Sequence, residues 1–457
     1  MNPRRIVKKV VPVKLFSKVE PYGHFAEAIV AQSINKFPAR GLKVIGVTGT
    51  DGKTSTCTLI HQLLISSGLK AAMMTTISID YGDGRGPIPN PTRLTTVNAF
   101  ALAKSLTKIK QAGVEWLVLE TTSHSLAQHR VWGVPYSIAV MTNINHEHLD
   151  YHKTFERYLN AKRQLFVLAN ANKRGYRTGI INAEDKNADK FIKSIKHPIT
   201  YGLKHGDIVA TDVKMNSAGS TYVAKIGQDH YDISCNLPGS FNISNSLAAV
   251  LVGRTIGLTK SQIEKGIASL KSVEGRMTYV DEGQNFGVIV DYAHTPESFE
   301  VIFNEVKKMT KGRIICVFGS AGRRDEAKRS EQGRIAGKFC DVVIATEEDD
   351  RDIDGQEILD QIASGAVKSG KKIDKDLFLI HDRNQAIEFA INQANKGDVV
   401  VLLGKGHEKS ILTNGPEAAN LRHLPQDDTD PRRVIKLEFD EVTSARKYLK
   451  KRLASKF

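Results

Sequence analysis

The chain has 457 residues, 41% hydrophobic and 25% charged, which suits a globular, water-soluble protein of two or three domains. No apolar run reaches the roughly 18 residues that span a bilayer, and the basic N-terminus has no signal-like apolar region, so a cytoplasmic protein without a transmembrane segment is expected. The net charge of +15 sits mostly in two tails, +5 in residues 1–20 and +6 in residues 446–457, and no nucleic-acid-binding pattern accompanies it. Four scattered cysteines, with no Cys-x-x-Cys, argue against a zinc site or a disulfide framework.

In chain order, apolar runs rich in β-branched residues fall at 43–47, 116–119, 138–142 and 179–181, then at 286–290, 313–318, 341–345 and 398–403. Runs of this kind suit strands buried on both faces of a parallel sheet. Helical stretches lie between them, such as 54–67 with Gly68 as a stop. The predicted class is α/β: a P-loop ATPase domain with a mainly parallel sheet, then a Rossmann-like α/β domain. Boundaries are expected at 1–42 (a short basic segment with a turn and one short helix in 20–37), 43–277 and 278–457. In such sheets ligands gather beyond the carboxyl ends of the strands, so the residues following each run are the candidates for chemistry.

After the first run comes Thr48-Gly49-Thr50-Asp51-Gly52-Lys53-Thr54-Ser55, then a helix. Glycines let the backbone wrap phosphate oxygens, and the helix N-terminus offers free N–H groups. Lys53 can reach the β/γ-phosphates, and the Thr54 hydroxyl can bind Mg²⁺. The general P-loop pattern needs its first glycine at Val47, whereas Gly46 stands one place earlier. The second run ends in Glu120, a carboxylate suited to Mg²⁺. The third leads into His146-Glu147-His148-Leu149-Asp150-Tyr151-His152, dense in ionisable groups but without standard zinc spacing.

These segments, with Ala161-Lys162, Gly239-Ser240-Phe241-Asn242-Ile243-Ser244-Asn245, Glu274-Gly275-Arg276-Met277, Asp291-Tyr292-Ala293-His294-Thr295-Pro296 and Gly404-Lys405-Gly406-His407-Glu408, resemble the Mur ligases of bacterial cell-wall synthesis, over about residues 43–410. Among them the members that add the third residue of the stem peptide are most similar. The resemblance implies an ATP-dependent ligase that joins a carboxylate to an amine through an acyl phosphate, with domain closure shielding that intermediate. It implies ATP contacts at residues 49–55, Asn242, Asn245, Arg276, Asp291 and His294, and Mg²⁺, two ions, at Thr54, Glu120 and His148. It further implies that Lys162 is carbamylated and is also a metal ligand, and that Lys53, His148, Lys162 and Arg276 are catalytic. The acceptor would meet Thr95, Thr96, Ser123, His124 and Arg130. The amine would meet Asp349, Arg351, Gly404 and Glu408.

Three departures from the family pattern stand out. Asp51 replaces the common Asn, Val97 replaces a Pro after Thr95-Thr96, and Glu348-Asp349-Asp350-Arg351 replaces Asp-Asn-Pro-Arg. The last leaves diaminopimelate, lysine and ornithine open as the incoming amine. Family members usually carry an N-terminal uridine-diphosphate domain of around a hundred residues. With only about 42 residues before the first run, a MurNAc-peptide lacking uridine is expected to serve as acceptor. A monomer acting on small molecules is expected. Folylpolyglutamate synthases and amino-acid polymer ligases share the core and are the rival enzymes, and a non-catalytic ATP-binding subunit is the rival of another class.

Overall fold

The computed structural model of the chain describes residues 13–90, 97–145, 149–216, 218–414 and 434–455. They form two units: one holds the residues up to Lys214 with Thr221–Cys235 and Phe241–Leu270, the other Met215–Ser220, Asn236–Ser240 and the residues from Lys271 onward. No helix among the described residues is long and apolar enough to cross a membrane.

The first unit is built on β1 (Lys43–Thr48), β2 (Ala71–Met74), β3 (Ser78–Asp80), β4 (Ile88–Pro89), β5 (Trp116–Glu120), β6 (Tyr136–Met141), β7 (Thr178–Asn182), β8 (His197–Gly202), β9 (Ile208–Asn216), β10 (Gly219–Ile226) and β11 (Asp229–Cys235). Their order is β11-β10-β9-β8-β7-β6-β1-β5-β2-β3-β4. β1 lies between β5 and β6, parallel to both, and the parallel run extends from β2 to β9. All residues of β5 and β6 are buried, which accounts for their unbroken apolar sequence. The four sequence-derived runs correspond to β1, β5, β6 and β7; β8 to β11 had no such signature.

Two helices grip β1. One, Lys53–Ser66, follows the loop after it. The other, Phe155–Ala171, starts at Thr154, whose hydroxyl accepts the Arg157 N–H at 3.3 Å, a cap worth about 1 kcal/mol. This second helix sits so close to β1 that a Cβ on Gly46 would lie 2.6 Å from both Leu165 Cδ1 and Tyr136 Cε1. Gly46 is thus a packing glycine, which explains why it stands outside the phosphate-loop register. The helix near the N-terminus runs Val13–Ile34, longer than the short helix expected from sequence. Its Ala28 and Ala31 pack against Ala99 and Ala103, and Phe25 meets Trp132 edge-on at 5.8 Å.

The second unit carries β12 (Thr278–Tyr279), β13 (Gly287–Asp291), β14 (Ile314–Phe318), β15 (Val342–Ala345), β16 (Leu377–Leu379) and β17 (Val399–Leu403), in the order β12-β13-β17-β14-β15-β16. All neighbours are parallel except β12. A separate antiparallel pair joins β18 (Ser410–Asn414) to β19 (Val434–Glu438). The insertion of β17 between β13 and β14 makes a switch point, where doubly wound sheets bind ligands.

Candidate functional site

In the first unit the loop after β1 converges on the Gly49 carbonyl. Lys53 Nζ donates to it at 3.0 Å and to the Thr50 carbonyl at 2.6 Å. Lys162 Nζ, from the helix Phe155–Ala171, donates to the same Gly49 oxygen, and Lys162 is buried. The Lys162 ammonium also lies 4.6 Å from the ring centre of Tyr158, one helical turn earlier. Tyr158 OH is 2.8 Å from Thr50 Oγ1, so one helix supplies both a charge and a brace to the loop.

Gly52 closes the loop in the left-handed region, φ 77°, directly before the helix Lys53–Ser66. A Cβ there would lie 2.6 Å from Asn245 Oδ1. Asn245 in turn accepts from Thr56 Oγ1 at 3.1 Å and donates to Asn242 Oδ1 at 2.9 Å, so the two predicted asparagines form one buried pair against the loop. Asp51, unexplained by sequence, has an exposed side chain and works through its backbone. Its N–H donates to Asn143 Oδ1 at 2.9 Å and its carbonyl accepts from Thr142 Oγ1 at 2.6 Å. Ser55 is buried in the first turn of the helix.

Thr54 Oγ1 donates to Glu120 Oε2 at 3.0 Å, and Thr76 holds the same carboxylate through its N–H at 3.0 Å and its hydroxyl at 3.1 Å. A hydroxyl and a carboxylate side by side are hard oxygen donors that fit Mg²⁺. His148, Thr95 and Thr96 lie outside the described residues. Of the predicted acceptor residues, Ser123 is buried with its Oγ 3.0 Å from His152 Nε2. The His124 ring is 4.4 Å from that of Tyr151 and 5.4 Å from that of His152. Arg130 is half-buried, just beyond the short helix Ser123–Ala127.

In the second unit Asp291 and His294 stand at the carboxyl end of β13, Asp349 and Arg351 follow β15, Gly404 and Glu408 follow β17, and Arg276 precedes β12. Asp291 is buried and accepts the Met277 and Ala293 N–H groups, each at 2.7 Å. Burial pushes its carboxyl up, and Arg276 partly offsets that. Tyr292 is a hub that sequence reasoning passed over: Arg276 lies 5.2 Å from its ring centre, with the His294 and His407 rings at 4.8 and 4.7 Å. Gly404 has φ 105°, and a Cβ there would lie 2.6 Å from Glu348 Oε2.

Asp349 and Glu408, both expected to meet the amine, share one cation that was not among the expected residues. Lys405, almost fully buried, donates to Asp349 Oδ1 at 2.9 Å and to Glu408 Oε2 at 2.7 Å. Asp349 also accepts the Leu412 N–H at 2.8 Å. Arg351 is left-handed, φ 58°, and its Nη1 donates to the Gly322 carbonyl at 3.0 Å. Glu348, set against Gly404, is buried, and burial pushes its carboxyl up. The Gly-Lys-Gly-His-Glu spacing, which puts a lysine three residues before a glutamate, was the available signal for Lys405.

The Mur ligase middle domain matches residues 47–253, and the Mur ligase glutamate ligase domain matches residues 275–406. The chain belongs to the Mur ligase family. It is 41% identical, over 387 residues, to a UDP-N-acetylmuramyl-tripeptide synthetase of Borreliella afzelii, covering 83% of this chain and 75% of that one. It is 37% identical, over 403 residues, to a UDP-N-acetylmuramoyl-L-alanyl-D-glutamate–2,6-diaminopimelate ligase of Geobacillus kaustophilus, covering 87% and 80%. A solved structure of a diaminopimelate ligase of that kind aligns with a TM-score of 0.66 at 29% identity, over 95% of this chain and 83% of that chain. Mur ligases are ATP-dependent, ADP-forming amide ligases that use Mg²⁺ and act on small molecules.

Proposed function

We propose that this Mur ligase adds a diamino acid to a UDP-MurNAc-dipeptide-like acceptor in peptidoglycan precursor synthesis. The observation that carries the reading is the convergence of Lys53 and Lys162 on the Gly49 carbonyl beside the Thr54–Glu120 pair, in a chain 41% identical to a tripeptide synthetase.

The acceptor carboxylate attacks the γ-phosphate of ATP, releasing ADP and leaving an acyl phosphate. Two anions meet in that step. Lys53, held at the loop by two carbonyls, and the N–H groups at the start of the helix Lys53–Ser66 offset the charge. Thr54 and Glu120 would hold Mg²⁺, which when bound neutralises phosphate charge. The amine then attacks the acyl carbon, phosphate leaves with the bonding electrons, and the nitrogen loses its proton as the amide forms.

Lys162 fits the role of a carbamylated lysine. A second ammonium against the carbonyl already bound by Lys53 is electrostatically unfavourable in a buried place. Loss of the ammonium proton and attack of the amine on CO₂, with loss of a second proton, would give a carbamate and put an anion there, near the Lys53 cation that shares the Gly49 carbonyl. The residues of Ser123, His124 and Arg130 are assigned to the acceptor. Gly404, Glu408, Asp349 and Arg351 are assigned to the amine. Arg351 suits a distal carboxylate, as in diaminopimelate, and the neighbouring acids suit a side-chain ammonium, as in lysine or ornithine.

Phosphate release with ATP, the UDP-MurNAc-dipeptide and a panel of amines tests the reading. The expected result is turnover with at least one of diaminopimelate, lysine and ornithine, and its absence with D-glutamate or apolar amino acids. Turnover with a folate acceptor and glutamate in place of these would overturn it.

A further inference from the structure

We propose that Glu347, Asp350 and His381 form a binding site for a divalent transition-metal ion of the zinc class, separate from the Mg²⁺ ligands of the first unit. One ligand atom of each residue lies within 4.8 Å of the others. Glu347 and Asp350 follow β15 and His381 follows β16, so the three side chains project from adjacent strand ends. The backbone there is fixed twice: the His381 carbonyl accepts the Glu347 N–H at 3.1 Å and the Thr346 hydroxyl at 3.0 Å.

His381 Nε2 lies 2.6 Å from Asp350 Oδ2. The Asp350 side chain is 2% exposed, and its Oδ1, on the same carbon, is buried without a hydrogen-bond partner. A buried carboxylate oxygen left without a donor is costly and marks a place where a ligand is wanted. Gly355 keeps the cluster open. A Cβ at that position would fall 2.0 Å from His381 Nε2 and 2.6 Å from Asp350 Oδ2, inside the ligand set. The histidine side chain is half exposed, which gives an ion a way in.

The donor set decides the class of ion. An imidazole nitrogen with two carboxylates suits zinc and its first-row neighbours, whereas Mg²⁺ prefers oxygen alone. Metal–ligand bonds of about 2.0–2.2 Å need the ligand atoms roughly 3.0–3.5 Å apart, so the ring must move out from 2.6 Å and the more distant ligand atoms, within 4.8 Å of one another, must close in. The ion would join the stretch that contains Asp349 and Arg351 to the end of β16.

The test is calorimetric titration of tag-free, chelator-stripped full-length protein with Zn²⁺, with Co²⁺ absorption as a spectroscopic check. The wild type should take up one more equivalent of Zn²⁺ than either His381→Gln or Glu347→Gln. It should also show a visible Co²⁺ band that both variants lack, and millimolar Mg²⁺ should not displace the ion. Far-UV circular dichroism of both variants should match wild type, because His381 is half exposed and Glu347 half-buried. Equal Zn²⁺ stoichiometry in wild type and both variants would overturn the proposal. So would displacement of the ion by Mg²⁺, or absence of saturable uptake.

Discussion

Replacing Arg383 with methionine is expected to loosen the second unit around the ends of β15 and β17 in a pH-dependent way. Arg383 and Glu441 are both fully buried. The guanidinium donates to Glu441 Oε1 through Nε at 2.9 Å and Nη2 at 2.5 Å. It also donates to the Glu347 carbonyl at 2.8 Å and the Leu403 carbonyl at 2.6 Å. It therefore ties the loop after β15 to the end of β17, just before Gly404. Burial pushes the Glu441 carboxyl up, with Arg383 pulling it back. Without Arg383 that restraint is gone. Below about pH 4.3, folded and unfolded chains both keep Glu441 protonated and the ionic penalty is absent. As the pH rises, the unfolded chain ionises first, so the deficit grows with pH, by at most about 1.4 kcal/mol per pH unit. Removing one partner of a buried pair costs about 3–5 kcal/mol when the stranded group must ionise.

Intrinsic fluorescence would report the wrong unit, because Trp116 and Trp132 are both in the first. Hydrogen exchange of peptides covering 383–403 and 441–454 is the suitable assay. Relative to wild type at the same pH, exchange should be faster by about 10²–10³ at pH 7 and clearly less so at pH 5.5. Adding Glu441→Leu should restore most of the protection, since it removes the stranded carboxyl. Less than tenfold acceleration at pH 7, or equal deficits at pH 5.5 and 8, would refute the reasoning.

Lys53→Ala should lower kcat by about 10²–10³ through loss of a preorganised charge, and an unchanged kcat would remove the phosphate-loop assignment. Glu120→Gln keeps the shape but removes the charge beside Thr54, so the Mg²⁺ concentration for half-maximal rate should rise several-fold, with kcat falling by about 10²; an unaltered Mg²⁺ titration would exclude Glu120 as a ligand. Lys162→Ala should be nearly inactive and regain activity with added short carboxylates that take the place of a carbamate. Full activity in the unsupplemented variant would end that reading. His407→Ala removes one ring neighbour of Tyr292, whose other neighbours, Arg276 and His294, are assigned to ATP, and should raise the KM for ATP several-fold; an unchanged KM for ATP would separate this ring cluster from nucleotide binding.

The sequence determined what is local. A strand, a glycine loop and a helix are contiguous, so the roles expected of Lys53 and Thr54 were read from their order, and that proposed for Glu120 from its position at the end of an apolar run. The parallel strands were legible because burial on both faces forces unbroken apolar sequence, as in β5 and β6. β9 and β11 alternate between buried and exposed positions, and their mixed sequence hid them. Only the tertiary structure decided the long-range meetings. Lys162 reaches Gly49 across 113 positions, Asn245 reaches Thr56 across 189, and Lys405 reaches Asp349 across 56. No periodicity in a sequence encodes such contacts, because they depend on which strand ends lie side by side. The same holds for Asp350 and His381, 31 positions apart, which an ordinary acidic loop and a lone histidine gave no reason to connect.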